Sequence, residues 1–137
     1  MRILSIDYGK KRTGIAVTDP LQIIANGLTT VDTPKLIPFL KQYVENEPVE
    51  LIVVGLPTQT NGLPSENQRR VMSFVDKLNK ALPEIRVEYI DERFTSVLAH
   101  RTILDSGIGK KRRRLDKGLV DEISACIILQ SYLESRH

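Results

Sequence analysis

The chain has 137 residues, 41% hydrophobic and 27% charged, with a net charge of +3; that length suits one domain with its own core, spanning 1–137, and is too short for two lobes closing on a ligand. A single cysteine and the absence of tryptophan argue against a disulfide framework and an aromatic stacking platform. Only Ile3, Leu4 and Ile6 precede Asp7 as a candidate signal core and no run has membrane-spanning length, so the expectation is a cytoplasmic globular protein without a membrane partner.

Ile3 to Ile6 and Gly14 to Val17 are apolar runs joined across YGKKRT, which predicts a β-hairpin with Gly9 and Gly14 giving the connection its backbone freedom. Ile23 to Val31 predicts a third strand. Thr33 before Pro34 marks a helix N-cap and first turn, and Leu36, Ile37, Leu40 and Val44 follow at helical spacing as far as Glu47-Pro48. Leu51 to Val54 is continuously apolar and closed by Gly55, the pattern of a strand buried on both faces. Ser65 with Gln68 forms a capping box ahead of Val71, Phe74, Val75, Leu78 and Leu82, one face of a helix whose other face is charged. Val87 to Ile90 predicts the last strand, Thr95 or Ser96 caps a helix that Gly107 stops, and helical patterning resumes from about Gly118 with Ile123, Ile127 and Leu133. Cys126, inside an apolar stretch, reads as a small core residue.

A hairpin followed by alternating helices and strands implies a mixed α/β sheet of five strands in the order 3-2-1-4-5, flanked by helices, with the first strand antiparallel to the second and parallel to the later two. This layout resembles ribonuclease H-like folds. The carboxyl ends of parallel strands share one edge, where open α/β sheets place their ligands, and Asp7, the Gly55-Leu56-Pro57 loop and Asp91-Glu92 converge there. Asp7 and an acid at the end of the last strand would repel unless a cation lies between them. Strand alternation favours Glu92 over Asp91. Asp121 adds a third acid from the final helix, with Lys117 and Ala125 on its face, the small alanine allowing close approach to the sheet.

Three acids from distant segments, without a His or Cys cluster, make an oxygen-only site suited to Mg²⁺ or Mn²⁺; His100 and His137 are the only histidines. Two such ions could activate water and stabilise the leaving oxygen in phosphodiester hydrolysis. Taken singly, each acid has a plainer reading: Asp7 as acceptor for the turn at Gly9, Glu92 as a surface partner of Arg93, and Asp121 as a first-turn acid answering a helix dipole. Asp19, before Pro20, reads as a turn residue.

The cations are unevenly spread. Lys110, Lys111, Arg112, Arg113, Arg114 and Lys117 put six positive charges against Asp116 alone, leaving the rest of the chain at about −2. Such a segment can order on a polyanion, although solvated charge runs are common. Lys10, Lys11 and Arg12 lie just beyond Asp7, so positive charge is expected beside the acids. Both segments favour a nucleic-acid partner read by shape and backbone, since no helix-turn-helix, zinc-finger or aromatic RNA-binding signature is present.

Four segments, IDYGKKRTGIAVTD, VVGLPTQTNG, IDERFTS and KGLVDEISACIILQ, resemble the YqgF family of bacterial proteins, known as Holliday-junction-resolvase-like and as pre-16S rRNA nucleases. DERFTS is the most specific of them. The resemblance implies a ribonuclease H-like nuclease that depends on metal and trims the 5′ end of 16S ribosomal RNA, with its acids on Asp7, Glu92 and Asp121. It also matches Gly9, Arg12, Gly14, Gly55, Pro57, Gly62, Arg93, Thr95 and Lys117, whereas Cys126 stands where a second alanine is usual. Arg12 would reach a phosphate near the metals, and Arg93 would meet either a carboxylate or a phosphate.

Three other functions compete. A phosphate-binding ATPase of the actin, Hsp70 and sugar-kinase type shares the first strand-turn-strand element but needs two lobes. A non-catalytic nucleic-acid-binding or transcription-associated protein would use the acids structurally. A junction resolvase must cut two strands symmetrically, which favours a dimer; with no oligomerisation segment visible, a monomer or weak homodimer processing structured RNA is the leading expectation.

Overall fold

The computed structural model describes residues 1–56, 66–91 and 117–135. Its strands are β1 (Arg2–Asp7), β2 (Arg12–Thr18), β3 (Ala25–Asp32), β4 (Val49–Leu56) and β5 (Arg86–Asp91), and its helices are α1 (Leu36–Asn46), α2 (Glu66–Ala81) and α3 (Lys117–Ser135). The sheet runs β3-β2-β1-β4-β5, with β1 antiparallel to β2 and parallel to β4, and β4 parallel to β5. The five-stranded mixed sheet expected from the sequence is therefore the observed one. The further helix expected between Thr95 or Ser96 and Gly107 lies outside the described residues, as do Ser65 of the capping box and the basic run 110–114.

Strand alternation divides the core into two layers. Leu4 and Ile6 of β1 and Ile52 and Val54 of β4 pack with Leu36 and Leu40 of α1 and with Val71, Phe74, Val75 and Leu78 of α2. Ile3, Leu51 and Val53 point the other way, against Ala125, Ile128, Leu129 and Leu133 of α3. Burying each large aliphatic side chain contributes roughly 1.5–3 kcal/mol, and β4, buried on both faces from Leu51 to Val54, contributes to both layers. In α3 the buried stripe is Ala125, Ile128, Leu129 and Leu133, while Ile123 and Ile127 are only half-buried; a helix apolar on most sides does not announce its inward face.

Two local expectations are corrected. Thr33 is not the cap of α1. Thr33–Lys35 form a 3-10 turn that starts after Asp32 and leads into α1, and the Thr33 hydroxyl donates to the Gly9 carbonyl at 2.7 Å instead. β3 begins at Ala25 rather than Ile23. The Asp19 carboxylate captures the N–H groups of Ile23 and Ile24, each at 2.8 Å, and that of Leu21 at 3.1 Å; the two isoleucines are exposed in the turn it organises. These bonds hold the Asp19 carboxyl below its ordinary pKa, the Ile24 N–H having the largest effect.

Candidate active site at the sheet edge

β1 ends at Asp7, directly across from Gly14 of β2. Ser5, two residues earlier on the same face, is fully buried and its hydroxyl donates to the Ala125 carbonyl of α3 at 2.6 Å. Asp7 thus belongs to the face that α3 covers. One turn before Ala125, α3 passes Gly14 so closely that a Cβ on that glycine would collide with the Asp121 carbonyl oxygen and lie 3.0 Å from the Asp121 Cβ. Gly14 lies in β2, within the run expected to be a strand, and its missing side chain lets the helix touch the sheet instead of giving freedom to the turn. Its contact sets Asp121 beside the cross-strand partner of Asp7.

Gly9 does serve the turn, because a Cβ there would strike the Arg12 carbonyl oxygen. The turn is pinned by the Thr33 N–H donating to the Lys11 carbonyl at 2.9 Å and by the Thr33 hydroxyl on Gly9, while the hydroxyls of Thr13 and Thr33 are 3.0 Å apart. From this base Arg12 extends to α3, where its Nε donates to Asp121 Oδ2 at 3.1 Å. Asp121 lies in the second turn of a helix that begins at Lys117, and the first turn contains no acid; the reading of Asp121 as a first-turn answer to the helix dipole is overturned.

At the carboxyl end of β1 the structure pairs Arg12 with Asp121 and sets Asp121 against Gly14, the cross-strand partner of Asp7. Lys11 is exposed in the turn, whereas Lys10 lines a cavity beside Tyr8 and Phe74 of the α2-side layer, so the KKR run divides between the two sides of the sheet instead of gathering at the acids. β5 ends at Asp91, paired in register with Leu56. Glu92, Arg93 and the cations 110–114 lie outside the described residues, and of Lys117 only the backbone, at the start of α3, is described. Among the described residues no three His, Cys, Asp or Glu side chains form a metal-binding group. Ser5 and Gly14 escaped sequence reasoning as positioning residues. The available signal for Ser5 was a lone hydroxyl inside the apolar run Ile3 to Ile6.

Residues 1–135 match the model of RuvX, the YqgF family, described as Holliday junction resolvase. The chain belongs to the RuvX family. Relatives with the name "Putative pre-16S rRNA nuclease" include proteins of Phocaeicola vulgatus, 65% identical over 98% of this chain and 96% of the relative, and of Bacteroides thetaiotaomicron, 62% identical over 98% and 97%. A Porphyromonas gingivalis protein with the same name is 60% identical over 98% and 96%. Among solved structures, RuvC of Thermus thermophilus in complex with a Holliday junction substrate superposes with a TM-score of 0.60 over 99% of this chain and 96% of RuvC, at 13% identity. At that identity the likeness establishes a shared ribonuclease H-like fold and leaves the RuvX site to be argued from its own residues.

Proposed function

We propose that this RuvX-family chain, as one domain over 1–137, is a metal-dependent endonuclease that processes the 5′ end of pre-16S ribosomal RNA in the cytoplasm. The observation that carries the reading is that α3 sets Asp121 against Gly14, the cross-strand partner of Asp7 at the end of β1, with Arg12 bridging Asp121 to the basic turn. Glu92 follows directly on the end of β5, two residues after Ile90, which packs in the α3-side layer. By strand alternation it is the candidate for the third carboxylate.

The donor chemistry fits a hard divalent cation: two carboxylates from separate elements, a third candidate next to them in the fold's logic, and no thiolate or imidazole among the three. Asp7, Glu92 and Asp121 would hold Mg²⁺ or Mn²⁺, and the chemistry such ions supply when bound is activation of water and stabilisation of the departing oxygen. The protein's part is positional. α3 fixes Asp121 through Gly14 and Ser5, and Arg12, half-exposed, orients one Asp121 oxygen through Nε and would offer its other N–H groups to a phosphate. Lys11, Arg93, Lys110 to Arg114 and Lys117 are the cations proposed for backbone contacts.

RNA is placed ahead of four-way DNA because the close relatives carry an rRNA-nuclease name at 60–65% identity, while the resolvase description belongs to the family model. The test is a side-by-side assay of precursor ribosomal RNA and a four-way DNA junction with Mg²⁺ or Mn²⁺. Cleavage of the RNA and not the junction is expected; the converse would transfer the same site to junction resolution, and no cleavage of either would remove the nuclease reading.

A further inference from the structure

On the face of the sheet opposite Asp121, a cavity of about 650 Å³ opens between the β1–β2 turn, the start of α1 and the length of α2. Its size suits a nucleotide-sized group. Lys10 lines it from the turn, and Arg69, Ser73 and Lys77 line it from α2, three residues at successive intervals of four and therefore on one helix face. Tyr8 contributes its ring, stacked on Phe74 at 4.8 Å between centroids. Among the described residues, the one carboxylate in the lining, Glu66, is paired to Arg70 at 2.8 Å, and Lys10, Arg69 and Lys77 have no acidic partner.

We propose that this cavity is a second nucleic-acid subsite, receiving a single-stranded segment of the substrate that continues around the sheet edge from the acidic site, with its phosphates on Lys10, Arg69 and Lys77. The proposal rests on the nuclease reading for the identity of the polyanion. Arg69 and Lys77 are eight residues apart on α2, about 12 Å along the helix axis, too far to converge on one phosphate and suited to a chain of them. Continuity with the acids comes from the backbone itself: Asp7 faces α3, Tyr8 is the next residue and faces α2, and Lys10 follows in the turn fixed by Thr33. An aromatic floor beside the cations adds a stacking surface for a base. None of the α2 residues was among the cations singled out from the sequence.

The test uses the full chain carrying Asp7→Asn, so that labelled single-stranded RNA is bound without being cut, and compares it with the same protein carrying Arg69→Ala and Lys77→Ala. Fluorescence anisotropy over a salt series reads affinity and its salt slope. Removing two phosphate contacts is expected to weaken binding at least about fivefold and make the slope of log affinity against log salt shallower by about 1.4. Both side chains are exposed, so an unchanged melting temperature verifies the fold. Unchanged affinity and slope in the double variant, with RNA still bound, overturns the subsite alone. Cleavage by the Asp7→Asn protein overturns the acidic site and leaves the salt slope to decide the cavity, whereas failure of the parent protein to bind any nucleic acid overturns both.

Discussion

Gly14→Ala tests how the acidic edge is assembled. In a strand, alanine normally stabilises relative to glycine by roughly 0.5–1 kcal/mol, so local backbone preference predicts a gain. The structure predicts a loss, because the new methyl group would fall inside contact distance of the Asp121 carbonyl oxygen, a backbone atom held by α3 and unable to rotate away. Restoring van der Waals separation requires α3 to withdraw by about 1 Å. Overpacking of this kind costs about 1–3 kcal/mol, so against the gain of roughly 0.5–1 kcal/mol the middle of the range leaves a net destabilisation of about 1 kcal/mol and a fall in Tm of about 4 °C. A 1 Å displacement of Asp121 relative to Asp7 is expected to lower cleavage about 100-fold. Gly27→Ala is the control at the same helix–sheet interface, since its Cβ would meet Glu122 Cβ at 3.5 Å and Oε2 at 3.6 Å, ordinary contacts. Thermal melts and single-turnover cleavage of both variants decide the matter: a Gly14→Ala protein as stable and active as Gly27→Ala would refute the close approach as the device that places Asp121.

Three smaller predictions concern the frame. Ser5→Ala, which removes the 2.6 Å bond to Ala125, should cost about 1 kcal/mol, seen as a lower denaturant midpoint; an unchanged midpoint would mean that the bond does not anchor α3. Asp19 has a folded pKa below its ordinary value of 3.8, so its stabilisation is complete above that value and fades as pH falls through the lower folded value. The Tm gap between wild type and Asp19→Asn should accordingly be open at neutral pH and close in acid, and a gap that widens in acid would contradict the assignment. Burial pushes the Cys126 thiol above its ordinary pKa, and its Sγ donates to the Ala25 carbonyl at 3.4 Å; alkylation at neutral pH should be at least about tenfold slower than in unfolded protein, and equal rates would show an accessible thiol.

The sheet was legible in the sequence because its signals were local: a hairpin across a glycine turn, a continuously apolar β4, and two helices with clear apolar faces. The orders of strands and helices followed from connection rules. Less legible were features that depend on partners distant in sequence. Thr33 looks like a cap until Gly9, 24 residues away, is seen to take its hydroxyl, and Ile23 looks like strand until Asp19 claims its N–H. Gly14, the first residue of its strand run, reads as easing the turn unless the approach of α3 is known. The cationic row of α2 was visible only as a charged helix face, since its relation to Lys10 is created by folding. Asp7 and Asp121 were expected together; the structure sets Asp121 against Gly14, the cross-strand partner of Asp7, and pairs it with Arg12.

The most direct measurement is single-turnover cleavage of precursor 16S RNA by wild type and Asp7→Asn, with and without added Mg²⁺ or Mn²⁺, alongside thermal melts. The expected result is cleavage that requires the metal in wild type and falls at least about 100-fold in Asp7→Asn with an unchanged Tm. Equal cleavage by the two proteins, or cleavage by wild type that persists in full after chelation, would contradict a metal-dependent nuclease centred on Asp7.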